Sequence, residues 1–446
     1  MERDGRISRR NFLSKTAIAG IAGVAGVKLL SSCSQSKSEN VKLDIPTLNP
    51  VAPDGPTLKA GLIGCGGRGT GAAINFVDAG PNLEIVALAD VFQDKIDQCR
   101  VKLKEQRKIE VADEKCFVGF DAYQKLIDSG VDIVIHATPP HFRPEHFAAA
   151  VQARKHVFIE KPLAVDPAGV RSVLATGKKA DGLGLSVVTG TIYRHRLDYI
   201  EVYKKVRQGA IGDIVSANSY YNTVQSWHRN PKAEWSEMEY MLRDWMNWCW
   251  LAGDHIVEQN VHNIDNVMWF MDKHPVKALG FGSRQRRLTG DIYDNFSVDF
   301  VFDDDVHYHN MCRQINGCSK NVSDQIMGTQ GYTNLRNTIY NHDGSVQYTY
   351  PYPVDEKGQS TGRVAVNPYV QEHIDLVTAI RTNKPYNTAE ATALSTMAGI
   401  MGRISAYTGN EVTWEEVMNS DLRLGPTHYS FGPVNLKPEV PVPGKA

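Results

Sequence analysis

The sequence predicts an α/β protein built from two domains. An N-terminal parallel sheet covered by helices comes first, followed by an α+β domain with an open, mostly antiparallel sheet. Three observations predict this. Short apolar strands alternate with helical stretches from Leu58 to Ile159, a pattern that specifies a parallel sheet covered on both faces. Glycines at fixed spacing separate the first strand from the first helix. Beyond Val187 the strands alternate in polarity, as half-exposed antiparallel strands do.

The first 33 residues read as an address. Ser8-Arg9-Arg10-Asn11-Phe12-Leu13 precedes a weakly apolar run from Thr16 to Leu30, the charged and apolar regions of a signal peptide. The run is short and interrupted by Lys28, which excludes a transmembrane helix there. The arginine pair resembles a twin-arginine signal, which implies the twin-arginine export machinery as a partner and export in the folded state. Leu30-Ser31-Ser32-Cys33 resembles a bacterial lipobox, so Cys33 is the expected lipidation site and the only expected attachment to a membrane. The expected location is periplasmic or anchored at the outer membrane. Residues 34–56 are polar and contain prolines, as a linker would.

Of the 446 residues, 42% are hydrophobic and 22% charged, a globular balance that can bury a core. Net charge is -1, although residues 1–32 carry six Lys/Arg against two Asp/Glu. The folded part is therefore mildly acidic, which argues against nucleic acid as a partner. Seven cysteines occur without any CxxC pair, so zinc spacing is absent. Cys312 and Cys318 are a candidate pair that spacing alone does not establish.

The cofactor-binding domain is expected over 57–184. Leu58 to Ile63 is its first strand, Thr70 to Ala79 its first helix, and Gly64-Cys65-Gly66-Gly67-Arg68-Gly69 lies between them. This is a dinucleotide fingerprint in its required context. Gly64 permits the tight turn, Gly66 lets the backbone approach a pyrophosphate, and Gly69 allows close helix–strand packing. A second strand, Glu84 to Ala89, ends in Asp90, 21 residues beyond Gly69. A carboxylate there accepts hydrogen bonds from both ribose hydroxyls and repels a 2′-phosphate, so NAD is expected over NADP. Helices over 121–129 and 144–153 and strands over 131–137 and 156–159 continue the alternation. Asp166 and Pro167 form an N-cap and N1 pair. Strand ends, where ligands sit in such sheets, carry Thr138-Pro139-Pro140-His141 and Glu160-Lys161-Pro162. Lys161 is held extended by the following proline, at a turn where partial burial would tune it for proton transfer.

The second domain is expected over 185–430, with an extended tail over 431–446. Strands are expected at 214–221, 278–284, 295–302, 307–313 and 322–328. A helix over 255–271 carries an apolar stripe, Val257, Val261, Ile264 and Met268, and a polar stripe, Glu258, His262 and Asp265. Residues so spaced share a face, so the carboxylates are expected to orient the imidazole and raise its pKa. His255 lies one turn further back, but no H-E-x-x-H spacing exists and no metal is expected. Tyr193 and Arg194 follow a strand over 185–189 and are expected to face the cleft. Trp227, Trp235, Trp245, Trp248 and Trp250 cluster with Arg229 and Arg243. Two readings stay open: rings stacking on a sugar, or an aromatic core under a long loop. Helices over 369–381 and 389–407 close the chain.

In its fingerprint, Asp90, Thr138-Pro139, Glu160-Lys161-Pro162 and the acid-x-x-x-His-x-x-Asp segment at 258–265, the chain resembles the Gfo/Idh/MocA family of NAD(P)-dependent sugar oxidoreductases, from about Thr57 to Val412. The resemblance implies Lys161 and His262 as the catalytic lysine and histidine. It puts Glu160 and Thr138 near the nicotinamide ribose; His141, by its place after a strand end, is expected in the cofactor set. It further implies a last helix packed back on the first domain, and a homo-oligomer formed through the open sheet. Substrate contacts are expected from Tyr193, Arg194, Trp227, Arg243, Trp245 and His255. Two positions depart from the family pattern: Glu258 stands where Asp is common, and Arg143 where a histidine is often found. The implied activity is oxidation of a pyranoside or polyol hydroxyl. The rivals are an NAD-dependent glycosidase working by transient C3 oxidation, whose known group lacks Glu-Lys-Pro, and a non-catalytic sugar-binding lipoprotein.

Overall fold

The computed structural model describes residues 43, 45, 46 and 48–445, which belong to one compact unit. The signal segment and Cys33 lie outside the described residues. In chain order the elements are β1 Leu58–Ile63, α1 Gly67–Val77, β2 Leu83–Asp90, α2 Gln93–Arg107, β3 Cys116–Val118, α3 Ala122–Ile127, β4 Ile133–His136, α4 Arg143–Gln152, β5 His156–Ile159, α5 Pro167–Gly182 and β6 Val187–Thr189. Then come α6 Leu197–Arg207, β7 Ile214–Thr223, α7 Glu237–Arg243, α8 Cys249–Ala252, α9 His255–Glu258, α10 Val261–Met271, β8 Lys277–Ser283, β9 Asn295–Val301, β10 His307–Gln314 and β11 Asn321–Gly328. β12 Gly331–Thr333, β13 Thr338–Asn341, β14 Val346–Thr349, α11 Pro368–Arg381, α12 Ala389–Thr408, β15 Val412–Thr413 and α13 Trp414–Asn419 complete the chain.

Strands β1 to β6 form one parallel sheet in the order β3-β2-β1-β4-β5-β6, the arrangement of a doubly wound nucleotide-binding domain. β4 is buried along its whole length and β5 along all but its first residue, because helices cover both faces. The boundary expected at 184 falls short, since β6 belongs to this first sheet. The segment expected as a free linker is bound to the domain: Ala52 is buried and its N–H donates to the Ala79 carbonyl at 2.8 Å.

The second sheet has nine strands in the order β14-β13-β12-β11-β7-β10-β9-β8-β15. It is antiparallel except for the β7–β10 pair. The hairpins β12 to β14 extend the sheet beyond the strands legible in sequence. α10 and α12 pack on one face, and α12 also lies against α5 of the first domain, as the resemblance implied. Arg403 on α12 is fully buried and donates to the Val165 and Gly253 carbonyls at 2.8 and 2.9 Å, which ties the two domains together. Residues 420–445 form neither helix nor strand, yet they are tied down: Tyr293 Oη donates to the Pro441 carbonyl at 2.8 Å. Cys312 is buried, Cys318 is exposed, and both are free thiols, so the candidate pair does not form.

Candidate active site

The glycine turn is built as its spacing demands. Gly64 sits at φ +94°, and a Cβ there would lie 2.7 Å from the Ala137 carbonyl carbon. A Cβ on Gly69 would lie 1.8 Å from the Gly64 carbonyl oxygen, so α1 and β1 touch through glycine alone. Gly66 and Gly67 differ: a Cβ on either meets nothing within 4 Å. Both line a cavity of about 620 Å³ at the carboxyl ends of β1, β2 and β4. Asp90, Thr138 and Pro139 line it too, and the Thr138 hydroxyl is buried there without a partner. Open backbone at a helix N-terminus, a carboxylate and an unpaired hydroxyl fit a dinucleotide phosphate and ribose. Asp90 also shapes the turn, accepting from the Cys65 and Phe92 N–H groups at 2.8 and 3.0 Å. Burial raises its pKa, and those two donors and Lys95 oppose the shift.

Other residues expected at the cofactor take different places. The Cys65 side chain is buried in the core between α1 and the sheet. Arg68 leaves the cradle for Glu160, with Nε to Oε1 at 2.5 Å, and lies 4.5 Å from the centre of the Tyr369 ring. Its Nη2 is 3.9 Å from Glu372, a residue that no motif singled out. Burial, and then the neighbouring Glu160 charge, push the Glu372 carboxyl well above the carboxylate range. His141 is turned to the C-terminal segment, bonded to Tyr429 Oη at 2.7 Å and edge-on to Trp250. Burial lowers its pKa to about 4.

At the end of β5, Lys161 Nζ reaches across to the second domain. It donates to the Glu258 carbonyl and lies 3.4 Å from Glu258 Oε1, with both side chains largely buried. The single helix expected over 255–271 is two: α9 ends at Glu258 and α10 begins at Val261. The break exposes the Glu258 carbonyl to Lys161, since a helix end leaves carbonyls unpaired. His262, in the first turn of α10, is half-buried, with its ring edge-on to Tyr193 at 5.5 Å. Its pKa is pushed well below the ordinary imidazole value, by burial first and then by the charges of Lys161 and Arg68. The expected upward shift is therefore reversed. The orienting carboxylates are occupied elsewhere: Glu258 by Lys161, and Asp265 by Arg194 in a two-pronged pair at 2.8 and 2.9 Å, with Ser395 donating at 2.7 Å.

That pairing also withdraws Arg194 from the cleft, where it was expected to meet substrate. His255 is likewise not in the cleft; it is 1% exposed, bonded to Asp254 at 2.9 Å and packed on Phe296. Trp227, Trp245 and Arg243, expected around a sugar, line the cavity of the glycine turn instead, together with Trp235. Phe92, Phe120 and Tyr123 line the same cavity and were not singled out by sequence. Among the described residues no group of His, Cys, Asp and Glu could hold a metal ion.

Comparison with known proteins agrees with this architecture. Residues 58–188 match the oxidoreductase family with NAD-binding Rossmann fold, and residues 199–334 match the GFO/IDH/MocA C-terminal domain. Inositol 2-dehydrogenase of Acidothermus cellulolyticus is 28% identical over 244 residues, 54% of this chain and 62% of that protein. A glycosyl hydrolase family 109 protein of Shewanella baltica is 26% identical over 224 residues, 50% of this chain and 47% of that protein. The chain thus matches only about half to three-fifths of the length of these curated relatives. Scyllo-inositol dehydrogenase from Lactobacillus casei with bound cofactor NAD(H) and scyllo-inositol superposes with a TM-score of 0.58 at 18% identity, over 80% of this chain and 99% of that one. With the glycine cradle, the parallel sheet and the large second sheet in place, the chain belongs to the Gfo/Idh/MocA family of oxidoreductases.

Proposed function

We propose that this protein oxidises a ring hydroxyl of a sugar or cyclitol, passing hydride to a nicotinamide dinucleotide held at Gly64, Gly66, Gly67 and Asp90. The observation that carries the reading is the convergence of Lys161, Glu258 and His262 where the end of β5 meets the start of α10. Bound nicotinamide supplies the hydride acceptor. The hydroxyl proton must leave as the carbon gives up hydride, and His262, kept neutral, is able to take it. Lys161, fixed by Glu258, donates to the same oxygen as it becomes a carbonyl. Tyr193 packs on the imidazole and holds its plane. NAD is the cofactor we assign over NADP, because Asp90 ends β2 on the cavity, where a carboxylate would accept from ribose hydroxyls and repel a 2′-phosphate. The names of two relatives, an inositol 2-dehydrogenase and a dehydrogenase with scyllo-inositol bound, support a polyol or sugar substrate.

A second reading is favoured by the family 109 glycosyl hydrolase relatives. In this reading, oxidation is transient and reversed after elimination of an aglycone. We further assign the chain to export through the twin-arginine route, with a lipid on Cys33 and the second sheet as a self-association face. An exported enzyme meets no free pool of dinucleotide, so a cofactor loaded before export suits both readings.

The test is spectroscopic. Purified protein is mixed with inositols, aldoses and aryl glycosides while NADH absorbance is followed. Lasting NADH supports net oxidation, and transient NADH with aglycone release supports the glycosidase. No absorbance change with any of them removes both. Moving from the membrane to the soluble fraction on Cys33→Ser is the expected sign of lipidation; identical fractionation rejects it.

A further inference from the structure

The tryptophan-rich segment does not surround the Lys161–His262 cleft. It lines the cavity of the glycine turn, whose lining includes neither Lys161 nor His262. Trp227, Trp235 and Trp245 of the second domain line it together with Asp90, Phe92 and Phe120 of the first. About 620 Å³ remains open between them. We propose that the adenosine half of the dinucleotide is bound between the two domains, with the segment from Trp227 to Trp245 as its outer wall. This rests on the reading that the cradle binds a dinucleotide.

Three observations support the wall. The first is its attachment. Arg243, at the end of α7, pairs with Asp94 in the first turn of α2 at 3.0 Å and with Glu239 at 2.8 Å. The same guanidinium lies 3.9 Å from the Phe92 ring centre and 5.3 Å from that of Trp235. One side chain thus joins a first-domain aromatic, a second-domain aromatic and a first-domain carboxylate, closing the rim. The second is composition. Arg229 lies over the Trp227 ring at 5.3 Å and Lys232 over Trp235 at 4.9 Å, so the wall presents π-faces backed by cations. That chemistry suits a purine carrying phosphates: bases stack on aromatic faces whatever their identity, and cations answer the phosphate charge. The third is exposure. Trp227 is 42% exposed and lies on the cavity, so an apolar ring is left open at the site until a base covers it. On this reading the Arg243–Asp94 link lies at the rim a seated nucleotide must pass, and it slows release.

The test uses full-length protein stripped of nucleotide, as wild type and as Trp227→Ala, Trp235→Ala and Arg243→Ala. Calorimetry measures adenosine monophosphate and nicotinamide mononucleotide separately. Release of radiolabelled NAD is timed in a chase with excess unlabelled NAD. The wall predicts that adenosine monophosphate binds about five- to a hundredfold more weakly in the tryptophan variants, the range of one lost stacking partner. Nicotinamide mononucleotide affinity should not change, and Arg243→Ala should speed NAD release about tenfold or more. Trp227 is exposed, so its variant tests the idea even where Trp235→Ala or Arg243→Ala fails to fold. Wild-type affinity for adenosine monophosphate in Trp227→Ala, with wild-type NAD release in the folded variants, overturns the wall alone. Wild type that binds no NAD overturns the dinucleotide reading, and the wall with it.

Discussion

Two glycines three residues apart should fail in opposite ways when each becomes alanine. At Gly66 the backbone lies at φ −69° and ψ −173°, open to any residue, and a Cβ meets nothing within 4 Å. Gly66→Ala should therefore leave the fold intact. The weaker N-cap and the reduced freedom of the unfolded chain each amount to less than about 1 kcal/mol and oppose one another, so melting should move by about 2 °C or less. The new methyl instead occupies the approach of the pyrophosphate to the α1 N-terminus. Loss of one or two hydrogen bonds to a charged group costs about 1.5–3 kcal/mol, or about ten- to a hundredfold in NAD affinity. At Gly69 the Cβ would sit 1.8 Å from the Gly64 carbonyl oxygen, and backbone must yield. Overpacking of this kind costs about 1–3 kcal/mol, seen as a melting point lower by several degrees. The assay is thermal melting of nucleotide-stripped protein beside calorimetry with NAD. Wild-type NAD affinity in Gly66→Ala, or wild-type stability in Gly69→Ala, refutes the division of labour.

Lys161→Ala and His262→Ala should each reduce single-turnover hydride transfer by about 10²–10⁴ while NAD stays bound, and the double variant should lose less than the product if both serve one proton path; multiplicative losses would separate them. Because burial holds His262 neutral, its acid limb in kcat/KM should fall below the ordinary histidine value of about 6.5, with activity steady from there upward until another group titrates; a limb at or above that value contradicts the burial argument. Asp265→Ala leaves Arg194 buried without its partner, so urea unfolding should report a loss of about 3–5 kcal/mol, and a loss under about 1 kcal/mol would mean that Arg194 finds water. Asp90→Ala should weaken NAD by about 1.5–3 kcal/mol and narrow its advantage over NADP; unchanged discrimination by calorimetry would reduce Asp90 to a turn residue.

The cofactor domain was legible because its signals are local. Strand, glycines, helix and strand-end acid lie within about 35 residues, and each glycine answers a steric demand of its immediate neighbours. Asp166 capping α5 is legible for the same reason, its carboxylate accepting from the Gly169 N–H at 2.7 Å. Lys161 and His262 were each singled out locally, but their pairing was legible only through the family resemblance, since nothing in either segment states that β5 will face α10. What failed depended on distant partners. Periodicity placed Asp265 beside His262, but Arg194 and Ser395, from opposite ends of the second domain, claim its oxygens. The stripe from Glu258 to Asp265 ran unbroken in sequence, whereas the chain breaks at Gln259 and Asn260, whose side chains bond to Gln314 and Asn310 on β10. The tryptophans were legible as a cluster, but not as lining the cavity of the glycine turn, because composition does not say which cavity a loop will cross.

One face of the first sheet is finished by a helix that arrives late. Ile374, Leu376 and Val377 of α11 share a core with Ala60, Leu62, Phe76 and Phe158, and the Val187 N–H at the sheet's last strand donates to the Tyr386 carbonyl at 2.8 Å. During synthesis the six strands emerge from the ribosome long before the residues that seal them. Domains made first ordinarily fold first, but here the nucleotide-binding half keeps an apolar face open while nearly two hundred further residues are added. Its completion waits on translation of α11, by which point every strand of the second sheet except β15 is already made. The first sheet is therefore sealed only when synthesis has reached the last quarter of the chain.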